Sequence, residues 1–265
     1  MRTLFTLCAL LLTVCPALAQ WTDYPLKGIP RLPDGKPNLT APTPKTLDGR
    51  PNLSGVWWVP HDGEENDLVG PPPKYLVNLA ADLKPGEVAM QPWALEFLKR
   101  EAALLGKNQP MAKCLPPGIP LNYTTPAPFK IVQTPDLVVM LYEVANSFRQ
   151  VFVDGRALPK DPNPTFVGYS VGRWDGDTFV VESSGFNDKT WLDGIGHPHT
   201  DALRITERYT RRDVGHLEIQ ITIDDPKAYF KPWSATIGAE LLTNTDVMEY
   251  VCVENEKSLQ HMIGN

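Results

Sequence analysis

The amino-acid sequence predicts a mainly β protein, an antiparallel up-and-down barrel of about eight to ten strands, with a sandwich as the alternative. The main observation is a two-residue alternation of apolar and polar side chains that begins at Phe129 and continues almost to the end of the chain. Frequent turn residues, 27 prolines and 19 glycines among 265 residues, predict short elements. The hydrophobic fraction of 42% is sufficient for a buried core and excludes global disorder.

Ten segments have the strand pattern. They cover residues 53–59, 129–134, 137–143, 148–154, 166–174, 177–183, 203–211, 216–224, 234–242 and 247–252. Their connections after residue 129 are short except for 155–165 and 184–202. Because no shift in composition divides this half of the chain, we predict a single β-rich domain over residues 53–265, with its main strands within 129–252.

One helix is predicted, over residues 92–105. Pro92 suits the first helical position, and Gly106, with Pro110 beyond it, ends the helix. The apolar stripe of this helix consists of Trp93, Phe97, Leu104 and Leu105. The following segment 114–128 contains five prolines and is predicted to be irregular.

Residues 20–52 are rich in proline and contain a short duplication. The run Asp34-Gly35-Lys36-Pro37-Asn38-Leu39 is repeated fourteen positions later as Asp48-Gly49-Arg50-Pro51-Asn52-Leu53. Two copies are too few for a repeat architecture, so we interpret this segment as an extended arm that lies over the domain.

One hairpin can be predicted in detail from Asp175-Gly176, the preferred pair for a two-residue type I′ loop. The predicted cross-strand pairs are Trp174 with Asp177, Gly172 with Phe179, and Tyr169 with Glu182. A glycine beside an aromatic ring allows the ring to cover bare backbone. Tyr169 and Glu182 fit a cross-strand pair better than an acid/base dyad.

The first residues predict export. Residues 1–19 are typical of a signal peptide, with Arg2 at the front, an apolar run over 4–14 and the cleavage site Ala17-Leu18-Ala19. The expected location is therefore periplasmic or extracellular. No later apolar run reaches the length of an integral membrane span, and the net charge of −6 argues against a nucleic-acid partner.

Cys114 and Cys252 are the two cysteines that follow the signal segment. An even number of cysteines in an exported protein predicts a disulfide bond between them. The alternatives are two buried free thiols or half of a metal site, although neither cysteine has a second one at Cys-x-x-Cys spacing.

Glu207 is the most informative candidate for chemistry. It shares a strand face with Ile205 and Tyr209 in an otherwise largely apolar stripe. A carboxyl group there either stays neutral with a raised pKa or pairs with a cation, and Arg149 has the complementary position on its own strand. The two residues form either a structural ion pair or part of a site in which Tyr169 is a donor.

The segment His197-Pro198-His199 is the candidate metal site. In an extended segment, residues two positions apart point the same way, so both imidazoles could bind one zinc ion. Asp201 or Glu207 would then be the third ligand. The alternative is a polar loop whose histidines satisfy local backbone groups. No other cofactor is indicated.

The motif Gly168-Tyr169-Ser170-Val171-Gly172 matches the Gly-x-Ser-x-Gly of a nucleophile elbow. That motif depends on a turn from a strand into a helix, whereas here a hairpin and a second strand are predicted to follow. We therefore assign no nucleophile to Ser170.

Several motifs carry a family resemblance. They are Asp48-Gly49-Arg50-Pro51-Asn52-Leu53-Ser54-Gly55-Val56-Trp57, Cys114-Leu115-Pro116-Pro117-Gly118, Phe148-Arg149-Gln150-Val151-Phe152-Val153-Asp154-Gly155-Arg156, Gly172-Arg173-Trp174-Asp175-Gly176-Asp177-Thr178, Gly185-Phe186-Asn187-Asp188, Thr206-Glu207-Arg208-Tyr209 and Glu249-Tyr250-Val251-Cys252. With these motifs the chain resembles a family of exported bacterial proteins. The resemblance implies export and a lipocalin-like β-barrel, and Gly55-Val56-Trp57 is similar to the Gly-x-Trp that opens such barrels. It implies no assigned reaction, so no catalytic role is carried over.

Three functions fit these observations. The first is binding of a small amphipathic, sugar-like or aromatic molecule in the lumen of the barrel. The second is an acid/base hydrolase, lyase or hydratase, metal-assisted or not, with the candidate catalytic residues Glu207, Arg149, Tyr169 and His199. The third is a structural envelope protein in which these residues only pack. The sequence favours ligand binding over catalysis.

Overall fold

The alternating segments form the wall of a closed barrel. The computed structural model describes residues 25–60 and 74–252. Nine strands are joined in sequence order, and the last also pairs with the first. They are β1 (Gly55–Trp58), β2 (Phe129–Gln133), β3 (Leu137–Tyr142), β4 (Ser147–Phe152), β5 (Tyr169–Asp175), β6 (Thr178–Ser184), β7 (Arg204–Arg211), β8 (His216–Asp224) and β9 (Trp233–Leu242). The predicted barrel is confirmed, and the sandwich alternative is wrong.

The prediction of a strictly antiparallel barrel is wrong at one seam. Strands β4 and β5 run parallel, through the two register pairs Val151 with Ser170 and Phe152 with Val171. A parallel neighbour requires a long crossover connection. Residues 153–168 supply it, since they return along the barrel so that β5 starts from the same end as β4.

The predicted tenth strand, over 247–252, does not form. Its backbone is held instead by side chains of the turn between β3 and β4. Met248 N–H donates to a Glu143 carboxylate oxygen, and Tyr250 exchanges two hydrogen bonds with the Asn146 carboxamide. Because β1 already pairs with β9, the closed barrel has no free edge for another strand.

The hairpin between β5 and β6 forms with a register two positions from the predicted one. Its loop is Gly176-Asp177, and Asp175 pairs with Thr178. Gly176 has a φ of 60° and takes the first loop position, where a type II′ loop requires glycine. A shift of two positions preserves the faces, so the ring of Phe179 covers Gly172 as predicted: a Cβ at Gly172 would lie 2.5 Å from that ring.

Three short or medium helices of the described residues are not part of the barrel wall. They are α1 (Lys74–Val77), α2 (Pro92–Ala103) and α3 (Leu121–Thr124). The predicted helix is confirmed as α2. The segment predicted to be irregular contains α3, a single turn whose residues are all buried. No helix among the described residues is both long and apolar enough to cross a bilayer.

The duplicated arm lies against the end of the barrel where β7 and β8 join. Both copies form the same tight hairpin, with Leu32 N–H donating to Lys36 O and Thr46 N–H to Arg50 O, each at 2.8 Å. Val214 N–H donates to Ala41 O at 2.9 Å and attaches the arm to the β7–β8 turn. The predicted signal peptide, residues 1–19, lies outside the described residues.

The disulfide bond between Cys114 and Cys252 is confirmed. It joins positions 138 residues apart and fixes the last described residues beside the 3-10 helix Pro110–Lys113. A crosslink of this span removes much conformational freedom from the unfolded chain.

We expect the double variant Cys114→Ser/Cys252→Ser to fold but to lose about 2–5 kcal/mol in the free energy of unfolding, because its unfolded chain is no longer crosslinked. Urea unfolding of the variant and of the oxidised wild type measures the difference. Equal midpoints, or two free thiols in the non-reduced wild type by mass spectrometry, would contradict this role of the bond.

Candidate functional site

Arg149 and Glu207, the two central residues of the predicted site, meet inside the barrel. Arg149 points inward from β4 and Glu207 points inward from β7. Their side chains are both 0% exposed, and Arg149 Nη2 forms an ion pair with Glu207 Oε2. A second hydrogen bond joins Nη1 to Oε1 at 3.1 Å. The buried carboxylate is therefore paired with a cation, one of the two outcomes expected from its position.

Arg149 uses all five of its N–H donors. Nε donates to Ser170 Oγ at 2.8 Å, and Nη2 donates to Ser183 Oγ at 2.7 Å as well as to Glu207. Nη1 donates to the Tyr123 hydroxyl at 2.7 Å and to Glu207. Burial by itself lowers the pKa of Arg149, but Glu207 raises it well above its ordinary value, so the guanidinium stays charged.

Tyrosine hydroxyls complete the shell around Glu207. Tyr123 on α3 and Tyr209 on β7 each donate to Glu207 Oε1 at 2.8 Å, and Tyr142 donates to the Tyr123 oxygen at 3.2 Å. Burial raises the pKa of Tyr142 to about 12 and raises the pKa values of Tyr123 and Tyr209 well above the ordinary value. All three phenols therefore stay protonated and remain donors.

We call these seven side chains the interior cluster: Arg149, Glu207, Tyr123, Tyr142, Tyr209, Ser170 and Ser183. The cluster connects β4 to β5, β6 and β7 across the barrel lumen. It spans the parallel seam, which has only two register pairs of its own. Every polar side chain of the cluster bonds to another member, so none is left over to orient a ligand.

Tyr169 does not belong to the interior cluster. It pairs with Ser184 in the β5–β6 register rather than with Glu182 as predicted. Because successive strand residues alternate faces and Ser170 points inward, Tyr169 points outward, where it is half-buried. Its ring lies beside Gly185.

His197 pairs with a buried aspartate in its own loop. Its Nδ1 lies 2.5 Å from Asp193 Oδ2, and Asp193 also accepts a hydrogen bond from Leu79 N–H at 2.9 Å. These bonds connect the loop to the segment that follows α1. His197 is 3% exposed and is enclosed by protein.

His199 has different neighbours. Its Nε2 lies 2.7 Å from Thr190 Oγ1, and its Nδ1 lies 3.2 Å from Thr200 O. Burial lowers the pKa of His199, and this effect is partly countered by the Thr200 carbonyl and by the charges of Asp225 and Asp188. The imidazole is therefore neutral at pH 7.

The residues around the two histidines do not fit the predicted zinc site. Of the two candidates for the third ligand, Asp201 pairs with Lys227 at 2.7 Å, and Glu207 pairs with Arg149. Over the described ranges, the structure groups no three His, Cys, Asp or Glu side chains in a way that could hold a metal ion.

His199 instead opens onto a groove at the barrel end opposite the arm. We call it the aromatic groove; it has a volume of about 350 Å³. Its lining residues are Trp93, Phe97, Asp188, Thr190, Trp191, Pro198, His199, Thr200 and Asp201. One wall comes from α2 and the other from the loop 185–203. The groove combines three aromatic rings with hydroxyl, imidazole and carboxylate groups, the mixture typical of small-molecule sites.

Specific contacts position the aromatic rings of the groove. Trp93 and Phe97 are four residues apart on α2 and share one face of the helix. Trp93 Nε1–H donates to Lys227 O at 2.8 Å, which fixes the indole while 45% of the residue stays exposed. Phe97 and Trp191 meet edge to face, with 5.9 Å between their ring centroids.

Sequence reasoning missed two parts of this arrangement. Tyr123 lies in the segment predicted to be irregular, where no periodic pattern indicates which side chain points inward. Trp93 and Phe97 were assigned to an apolar stripe, and such a stripe usually packs in a core. Nothing in the sequence indicates that the indole of Trp93 stays partly exposed.

Comparisons with family models, with curated proteins and with solved structures found no match to this chain. The family resemblance of its motifs therefore stays a prediction. The fold and the two sites described above carry the functional argument.

We expect Arg149→Met and Glu207→Met each to lower the free energy of unfolding by about 3–5 kcal/mol, because each leaves the partner charge buried and unpaired. The double variant Arg149→Met/Glu207→Met should lose much less than the sum of the two. A double-mutant cycle in urea measures the coupling, and additive losses would show that the two side chains do not depend on each other.

His199 gives a testable pH dependence. Its pKa is lower in the folded protein than its ordinary value of 6.5, so the unfolded chain binds more protons as the pH falls below that value. The contribution of His199 to stability is therefore complete above about pH 6.5 and is lost as the pH falls below it. Unfolding at a series of pH values should show a weaker acid dependence in His199→Gln. Identical pH profiles of the wild type and His199→Gln would show that protonation of His199 does not destabilise the fold.

Proposed function

We propose that the protein binds a small amphipathic molecule with an aromatic or sugar ring, and that the binding site is the aromatic groove. The observation that carries the proposal is the exposed, fixed indole of Trp93 opposite Trp191. A flat ring or the C–H face of a sugar would stack there with little loss of side-chain freedom.

The polar side of the groove supports the same class of ligand. The carboxylates of Asp188 and Asp201 can accept hydrogen bonds from hydroxyl groups of a ligand. Asp201 is neutralised by Lys227, and among the described residues Asp188 forms no ion pair. This free acidic group favours neutral or cationic ligands over anionic ones.

The interior cluster is less suited to the ligand than the groove is. Its charged and hydroxyl groups bond one another and are closed to solvent, so a ligand in the lumen would have to break these bonds. The same enclosure weakens the hypothesis of a hydrolase, lyase or hydratase that uses Glu207 as acid or base. For the interior cluster itself, the structural interpretation is supported best.

We also propose that the protein acts outside the cytoplasm, in the periplasm or the extracellular space. The support is the predicted signal peptide together with the Cys114–Cys252 bond, since disulfides persist in oxidising compartments.

We expect p-nitrophenyl glycosides, which carry both a sugar and an aromatic ring, to raise the melting temperature of the protein by binding the native state. The variant Trp93→Ala should raise the dissociation constant about tenfold, because one stacking surface is lost. Isothermal titration calorimetry measures the constants.

The matched control is Phe148→Ala, which removes an aromatic side chain that is 58% exposed on the barrel wall, outside the groove. This variant should bind like the wild type. Equal affinity of wild type and Trp93→Ala, or an equal loss in both variants, would contradict a site in the aromatic groove.

A further inference from the structure

We propose that Thr190 and His199 form a nucleophile–base pair that hydrolyses carboxylic esters bound in the aromatic groove. This inference rests on the proposed function, because the groove has to hold the ester. It goes beyond that function, because binding alone needs no reactive group. It also differs from the acid/base hypothesis of Glu207, which lies in the barrel interior.

The first observation is the short contact between the two side chains. Thr190 Oγ1 lies 2.7 Å from His199 Nε2, the separation expected of a hydroxyl nucleophile and its base. Both residues line the groove, although they are only 3% and 5% exposed. The pair is therefore shielded from bulk water but faces the space that a ligand would occupy.

The second observation fixes the direction of the hydrogen bond. Thr200 O can only accept, so the proton of the neutral imidazole is on His199 Nδ1, which donates to this carbonyl at 3.2 Å. The lone pair on Nε2 is then free to accept the proton of the Thr190 hydroxyl. This is the arrangement that activates a hydroxyl for attack.

The third observation is that both members of the pair are held in place. Thr200 is fixed by Asp225, which accepts hydrogen bonds from Thr200 N–H at 2.6 Å and from its hydroxyl at 2.9 Å. On the other side, Gly118 packs so closely against Thr190 that an added Cβ would lie 2.9 Å from Oγ1. The carbonyl that orients the imidazole and the backbone behind the hydroxyl are thus both rigidly placed.

The reaction would proceed in two balanced steps. In the first, Thr190 Oγ1 bonds to the ester carbonyl carbon and its proton moves to His199 Nε2. The bond from carbon to the leaving oxygen then breaks, and the leaving alcohol takes that proton. In the second step, water attacks the acyl-threonine with His199 as base, the bond between carbon and Oγ1 breaks, and Thr190 recovers its proton. The net change is ester plus water to acid plus alcohol.

The groove also indicates which esters would react. The rings of Trp93, Phe97 and Trp191 favour an aromatic or sugar alcohol as the leaving group. The free carboxylate of Asp188 disfavours a negatively charged acyl group. Neutral short-chain esters of aromatic alcohols, such as 2-naphthyl acetate, therefore suit the site.

The test compares hydrolysis of 2-naphthyl acetate by the wild type and three variants. We expect Thr190→Val, which has the shape of threonine without its hydroxyl, and His199→Gln each to lower kcat/KM by about a hundredfold or more. Thr190→Ser retains a hydroxyl and should stay within about tenfold of the wild type. In the wild type, kcat/KM should fall at acid pH as His199 becomes protonated.

A second measurement does not depend on how the variants fold. An aryl phosphonate ester should modify the wild type covalently, and peptide mass spectrometry should place the adduct on the peptide that contains Thr190. Phe148→Ala, which lies outside the groove, serves as the control and should hydrolyse 2-naphthyl acetate and bind a p-nitrophenyl glycoside like the wild type.

Three results would overturn the inference. They are hydrolysis no faster than the uncatalysed reaction, equal kcat/KM in wild type and Thr190→Val, and a phosphonate adduct on another residue. If glycoside binding persists while any of these is found, the nucleophile–base pair fails and the proposed binding function stands. If Trp93→Ala also leaves glycoside binding unchanged, the groove itself is not the site.

Discussion

The fold depends on one buried ion pair. A guanidinium and a carboxylate can be enclosed in a barrel only if nearly all their hydrogen-bonding capacity is satisfied, since an unpaired buried charge costs several kcal/mol. For Arg149 and Glu207 this requires side chains from four strands and from α3 at the same time. The charges therefore specify one register across the parallel seam, where β4 and β5 share only two register pairs. Apolar packing alone would tolerate a slip more easily.

Because the interior cluster is closed to solvent, the side chains that can contact a ligand lie in the loops and in α2. The barrel wall is closed by hydrogen bonds between strands and its interior polar groups are bonded to one another, whereas the aromatic groove is built from α2 and the loop 185–203 at one barrel end. Buried carboxylates hold that loop in place, Asp193 through His197 and Asp225 through Thr200. A rigid scaffold that carries a functional loop is a common division of roles in β-barrels.

Much of the fold could be predicted because alternation of side chains directly reflects a barrel wall, with one face inward and one outward. The same reasoning identified Arg149 and Glu207, since a charge on an apolar face needs a partner. It did not identify the parallel pairing of β4 and β5, which depends on the path of a connection without a periodic pattern. The groove was also missed, because Trp93 and Trp191 lie far apart in the chain and meet only through tertiary packing.

Native-state hydrogen exchange tests the central claim most directly, with Arg149→Lys compared to the wild type. If Arg149 stabilises the parallel pairing of β4 and β5, the amides of Ser170 and Val171 should exchange faster in this variant through local opening. The amides of Ile219 on β8 and Ile237 on β9 should keep their rates. Faster exchange by the same factor at all four positions, or at none, would show that the ion pair does not hold the seam.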